Sequence, residues 1–140
     1  MPRLVLLTAL SLACATTSGG SSDGSEPTGR TSCTPGASDD LNVYDTTQVS
    51  ERPYARSGPD LEYPVRLRER HVQGRVLLSL IVNADGSVDP TSITVVRSAD
   101  PGFDVEAIRW ARGGQFWPGC RQGRAVRVRM LQPIDFKIRP

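Results

Sequence analysis

The sequence predicts an α+β domain in which a three-stranded antiparallel sheet carries two helices on one face. Two patterns predict the strands: an apolar hairpin over residues 75–98, and an alternation of apolar and polar residues over 124–138. A proline before residues 65–71 and an apolar stripe at helical spacing in 103–111 predict the helices. The elements therefore follow in the order helix, strand, strand, helix, strand.

The first helix is predicted over Val65–His71, directly after Pro64. Proline suits the first turn of a helix because its φ is already helical and its missing N–H would have no partner there. Gly74 is predicted to end this helix.

The hairpin begins with the apolar strand Arg75–Asn83. One face of this strand carries Val76, Leu78, Leu80 and Val82. A turn is predicted at Asn83–Gly86, because Gly86 can adopt a positive φ. Val88–Ser98 is predicted to return as the second strand, with Pro90 at an irregular position.

The second helix is predicted over Phe103–Ala111, where four apolar side chains form one stripe. The stripe consists of Phe103, Ala107, Ile108 and Ala111. Acidic residues in the first turn suit the helix dipole, and Gly113–Gly114 is predicted to end the helix.

The last strand shows the clearest alternation in the chain. From 124 to 138 the even positions are mainly apolar and the odd positions mainly polar, which predicts one buried and one solvated face. Pro133 cannot donate to a neighbouring strand, so this strand or its second half is predicted to lie at a sheet edge.

The N-terminus has the composition of an export signal. Arg3 precedes the apolar stretch Leu4–Ala13, which spans about 15 Å as a helix and is too short to cross a bilayer. Ser11–Cys14 resembles a bacterial lipobox, so residues 1–13 are predicted to be a signal peptide and Cys14 the lipidated first residue of the mature chain. The alternative is ordinary signal-peptide cleavage with an incidental cysteine.

Composition divides the rest of the chain into a tether and a domain. Residues 15–40 are rich in Ser, Thr, Gly and Asp and lack an apolar period, so 14–50 is predicted to be a flexible lipid-anchored tether and 51–140 the folded domain. The tether has five acidic residues and one basic residue, whereas the domain has ten acidic and fifteen basic residues. The domain lacks the basic stripe with interleaved aromatic residues that nucleic-acid binding requires, so no nucleic-acid partner is predicted.

If Cys14 carries lipid, Cys33 and Cys120 remain, and an oxidising compartment favours a disulfide between them over two free thiols. No metal site is predicted, because the spacings C-x₂-C and H-x₃-H do not occur. The single histidine, His71, has no catalytic set to partner it. The sequence therefore predicts no catalytic residue, no cofactor and no enzymatic activity.

Eight short motifs in order resemble the C-terminal domain of TonB-family energy transducers, over about residues 60–139. They are Tyr63–Pro64, Gly74–Val76, Asp85–Val88, Val96–Ser98, Phe103–Asp104 with Ala107, Phe116 with Pro118, Gly123 with Val126, and Pro133–Phe136. Most of these residues have structural roles, and the three phenylalanines are predicted to lie in the core.

The resemblance implies a partner-binding module that accepts the TonB box of an outer-membrane receptor beside its last strand. The expected edge is 125–131 and, further along, 134–138, where unpaired main-chain groups can recruit a strand by β-augmentation. The resemblance also places the receptor peptide near the Tyr–Pro pair. The implied partner-binding residues are Asp60, Leu61, Glu62, Tyr63, Arg127, Val128, Arg129 and Leu131.

Two of these residues have an alternative role, because Arg127 and Arg129 are equally typical of a solvated strand face. Neither the N-terminal membrane helix nor the long Pro-rich spacer of a full transducer is predicted from this sequence. A second hypothesis is therefore an envelope adaptor lipoprotein without energy transduction. Ala15 after Cys14 favours location at the outer membrane over the inner membrane. A homodimer formed through the open edge of the sheet is a further alternative.

Overall fold

The computed structural model of the protein describes residues 33–139. Its elements are β1 (Val43–Asp45), β2 (Tyr54–Ser57), α1 (Val65–Glu69), β3 (Gly74–Val82), β4 (Thr94–Arg97), α2 (Pro101–Gly113), β5 (Gln115–Trp117), β6 (Gly119–Arg121) and β7 (Arg124–Phe136). Within this range neither helix has the length and apolarity needed to cross a membrane. The predicted signal peptide and Cys14 lie outside the described residues.

The main sheet is built on β3 and β7, which pair antiparallel from Gly74 opposite Phe136 to Val82 opposite Val128. The strand order is β1-β7-β3-β4, and β6 also pairs with β7. The predicted three-stranded sheet corresponds to β3, β4 and β7, and the α+β class is confirmed. The strands that were not predicted have three or four residues each, which is too short for an alternating pattern to stand out.

Both helices cover the same face of the sheet, as predicted. Leu67 of α1 and Phe103 and Ala107 of α2 belong to one buried cluster with the inward side chains of β3 and β7. The rings of Phe103 and Phe136 stack with centroids 4.2 Å apart. The three phenylalanines that were expected in the core are each at most 1% exposed.

The helix ends differ from the prediction. Helix α2 begins earlier, at Pro101, because the carboxylate of Asp100 caps it and accepts the Gly102 N–H at 2.8 Å. Helix α1 ends at Glu69, and His71 leaves it with a φ of 54°. Gly74 therefore does not end the helix but begins β3, where a Cβ would lie 2.3 Å from the side chain of Ala99.

The returning strand of the hairpin is shorter than predicted. Gly86 takes a φ of +89° as expected, and its backbone passes so close to Phe116 that a Cβ would lie 2.2 Å from the Phe116 oxygen. Val88 forms only an isolated bridge with Val82. A turn follows in which the Asp89 carboxylate accepts the N–H and the hydroxyl of Thr91, and β4 starts only at Thr94.

The segment 33–50 is part of the folded domain, which corrects the prediction that the tether extends to residue 50. Cys33 and Cys120 form a disulfide, with their Cα atoms 5.7 Å apart. Val43–Asp45 pairs in parallel with β7 as strand β1. These attachments are made to residues at least 80 positions away in the chain, so the local composition on which the prediction was based could not reveal them.

Candidate strand-binding edge of the sheet

The outer side of β7, opposite β3, has two parts. At Arg127–Arg129 it pairs with β1, and this part is called the covered half. At Met130–Phe136 no other strand of residues 33–139 pairs with the outer side, and this part is called the open half. The expectation of a fully unpaired edge from residue 125 onward is therefore wrong for the covered half.

Pro133 indicates which main-chain groups face outward in the open half. It lies opposite Leu77 of β3, and a proline fits a paired strand only where its missing N–H would point away from the partner. Because main-chain groups alternate in direction along a strand, Leu131 and Asp135 face outward as well. The open half thus offers the N–H and C=O of Leu131 and Asp135. The C=O of Pro133 also faces outward, but it already accepts a hydrogen bond from the Gln132 side-chain amide at 3.0 Å.

Arg127 contacts other parts of the domain and is only 27% exposed. Its guanidinium donates to Asn83 Oδ1 at 3.0 Å and to Asp89 Oδ2 at 3.1 Å, and it reaches the Leu41 carbonyl at 3.4 Å. The pKa of Asp89 is lowered, mainly by its hydrogen bonds from Thr91 and also by the charge of Arg127. Arg127 therefore joins β7 to the hairpin and to the N-terminal segment, a role that the alternation pattern did not predict.

The other predicted residues of β7 divide by face. Val128 is fully buried in the core. Arg129 and Leu131 are exposed on the opposite face, and the Leu131 side chain is 56% exposed. At the far end of the open half, Arg75 donates two hydrogen bonds to Asp135, at 2.6 and 2.9 Å.

The predicted segment Asp60–Tyr63 is held against α2 by a buried carboxylate. Glu106 is 8% exposed and accepts the Glu62 N–H at 2.6 Å, while Arg109 donates to the Asp60 carbonyl at 2.7 Å. Arg109 also donates to both oxygens of Glu106, and this interaction is the main reason that the pKa of Glu106 lies below its ordinary value. One sequence signal for this pair was available, because a Glu and an Arg three residues apart on a predicted helix lie on the same side of it.

Tyr63 connects this segment to the end of β7. Its hydroxyl donates to the Val72 carbonyl, and its ring lies edge-on to Phe103 and Phe136 with centroids 5.5 and 5.9 Å away. The two groups of predicted residues therefore do not form one pocket. From residue 128 to residue 136 a strand extends about 26 Å at about 3.3 Å per residue, so the groups lie near opposite ends of the same edge.

No cluster of potential metal ligands occurs among residues 33–139. A cleft of about 690 Å³ lies between the N-terminal segment 34–40 and the β6–β7 hairpin, and it is lined mainly by polar groups. The available chemistry is therefore main-chain pairing at the edge, with Arg129 and Leu131 beside it. These features define a small α+β module with a partly unpaired strand edge.

The comparisons with known proteins agree with this class. Residues 59–138, more than half of the chain, match the family described as "Gram-negative bacterial TonB protein C-terminal", and the protein belongs to this family. The solution NMR structure of the Pseudomonas aeruginosa TonB C-terminal domain has a similar fold, with a TM-score of 0.53 and 24% sequence identity. The match covers 69% of this chain and 94% of that one. Comparison with curated proteins gives no match.

The predicted family is thus confirmed, and the chain contains a TonB-like periplasmic domain. Domains of this family are binding and energy-transduction modules rather than enzymes.

Proposed function

We propose that this domain binds the TonB box of an outer-membrane receptor as an added strand on β7, as a step in transport across the outer membrane. In β-augmentation, main-chain hydrogen bonds supply affinity and alternate side chains supply specificity. The observation that carries the proposal is the unpaired outer side of Met130–Phe136, directly beside the place where β7 already pairs with a parallel strand.

The side chains around the open half indicate what an incoming strand would meet. On the exposed face it would lie beside Leu131, with Arg129 available to an acidic residue of the peptide. Asp135 is already paired with Arg75, so it adds little attraction for a basic peptide. At the far end the peptide would approach Tyr63 and the 38%-exposed side chain of Leu61.

The proposal can be tested by titrating the isotope-labelled protein with a synthetic TonB-box peptide. We expect amide shifts concentrated at residues 129–136, and Leu131→Pro should weaken binding at least tenfold because it removes an outward N–H from the edge. Leu131→Ala is the matched control, since it keeps the main-chain donor and should retain affinity within a few fold. Equal binding by native protein and Leu131→Pro would exclude pairing at this edge. Substituting Val128 would not be informative, because this residue is fully buried and pairs with Val82.

The same edge could instead take the edge of a second copy. Sedimentation of the native protein and of Leu131→Pro distinguishes the two occupants. A receptor-binding edge predicts a monomer in both, whereas self-pairing predicts a native dimer that the substitution dissociates.

We also propose that Cys14 is lipidated and holds the domain at the outer membrane. The support is the sequence pattern around Cys14, followed by a short polar stretch before the first described residue. Metabolic labelling with a palmitate analogue should mark the native protein but not Cys14→Ser, and labelling of both would refute the assignment.

A further inference from the structure

We propose that β1 is a built-in placeholder that occupies part of the edge on which the partner strand docks, so that a partner must displace β1 to use the whole edge. This inference concerns regulation of the same edge and in that respect rests on the proposed function. Its structural basis is independent of any receptor, because β1 is already an added strand on β7.

The position of β1 is that of a competing ligand. Val43, Tyr44 and Asp45 lie opposite Arg127, Val128 and Arg129, and the chain turns away immediately after Asp45. The covered half and the open half are consecutive parts of the same edge of β7. With β1 in place a partner reaches only Met130–Phe136, in which Pro133 offers no donor, whereas displacement of β1 would add the outward groups of the covered half.

The contacts that hold β1 are polar and peripheral. Tyr44 donates its hydroxyl to Asp40 Oδ2 at 2.8 Å, and the guanidinium of Arg121 lies 4.8 Å from the centroid of the Tyr44 ring. Of the apolar side chains in this segment, Leu41 is 79% and Val43 is 38% exposed, and neither belongs to the buried core cluster. No residue of β1 belongs to the hydrophobic core. Removing β1 from the edge would therefore leave the core intact.

Both ends of the segment that contains β1 are tied to one residue of β6. Cys33 is bonded to Cys120, and the main chain of Cys120 pairs with Glu51 and accepts the Ser50 N–H at 2.8 Å. Residues 33–51 thus form a closed loop with β1 near its middle. When β1 leaves the edge, the loop keeps it close, at an effective concentration in the millimolar range that short flexible connections produce. The loop therefore makes β1 a reversible competitor.

The size of the competition follows from how often β1 is bound. If β1 occupies the edge nine-tenths of the time, the competent fraction is about one tenth, and the affinity of a strand for the full edge is weakened about tenfold. A variant that releases β1 should recover this factor.

The test uses two synthetic peptides on the full mature protein. The first has the chain's own sequence from Asp40 to Thr46, and the second is the TonB-box peptide. Tyr44→Pro releases β1, because it removes a main-chain donor, the aromatic ring and the hydroxyl. Ala37→Pro, an exposed site in the same loop but outside β1, is the matched control. Tyr44→Ala is a milder variant that keeps the main-chain donor, and circular dichroism verifies the fold of each.

We expect the chain's own peptide to bind Tyr44→Pro at least tenfold more tightly than native protein or Ala37→Pro, with Tyr44→Ala in between. Equal binding of this peptide to all four proteins would overturn the placeholder. The TonB-box peptide separates the two proposals. If it binds no variant while the chain's own peptide discriminates, the receptor function fails and the placeholder stands. If it binds native protein and Tyr44→Pro equally, and the chain's own peptide does not discriminate, the receptor function stands and the placeholder fails.

Discussion

Replacing Cys33 by serine should strongly lower the thermal stability of the domain. The disulfide joins residues that are 87 positions apart, so reduction opens a very long loop in the unfolded chain. In the chain-entropy treatment a loop of this length is worth about 4 to 5 kcal/mol at 25 °C. For a domain of about 100 residues, this loss corresponds to a decrease in Tm of roughly 15 °C or more.

Cys33 is a better site for this substitution than Cys120, because Cys33 lies near the start of the folded segment. The assay is a thermal melt followed by circular dichroism, with and without dithiothreitol. The reductant should lower the Tm of the native protein to that of Cys33→Ser and leave the variant unchanged. A native Tm that does not change on adding the reductant would refute the assigned role of the disulfide. A Tm of Cys33→Ser that falls on reduction as far as the native Tm does would refute it as well.

Three further perturbations test the fold. In urea unfolding, Gly86→Ala should destabilise the domain more than Gly123→Ala. Both glycines have a positive φ, but only at Gly86 would the Cβ lie 2.2 Å from a carbonyl oxygen. Equal losses of unfolding free energy would contradict this expectation. Phe136→Ala should cost about 3 to 5 kcal/mol and Leu131→Ala less than about 1 kcal/mol, since the first side chain is buried and the second exposed; similar unfolding midpoints would refute the assigned core. The pKa of Glu106 is lowered in the folded state, so its contribution to stability is full above the unfolded pKa of about 4.3 and is lost as the pH falls through the folded pKa. Glu106→Gln should therefore show a shallower loss of stability below about pH 5, and an unchanged acid profile would argue against the pair with its arginine.

Long periodic segments were predictable because they carry their own pattern. Strands β3 and β7 and helix α2 each present several apolar side chains to one face, and this burial decides their conformation. The stacked pair Phe103 and Phe136 follows from the same patterns once the helices share a face of the sheet.

Part of the candidate site was also predictable. Periodicity and Pro133 identified the edge strand, and the family resemblance identified the Asp60–Tyr63 segment. Sequence reasoning did not anticipate that Arg127 is engaged within the domain or that Glu106 and Arg109 hold that segment in place. These contacts join residues 38 to 86 positions apart. Apart from the three-residue spacing of Glu106 and Arg109, the side chains involved have no local pattern that distinguishes them from a solvated face.

The sequence by itself determined the fold class, the main strands and helices, the family and the two cysteines available for a disulfide. Only the tertiary structure decided how much of the β7 edge is free. Strand β1 has three residues, and its partners lie 84 positions away. So short a segment carries no period, and its conformation comes from the main-chain groups that β7 offers and from a loop closed at Cys120.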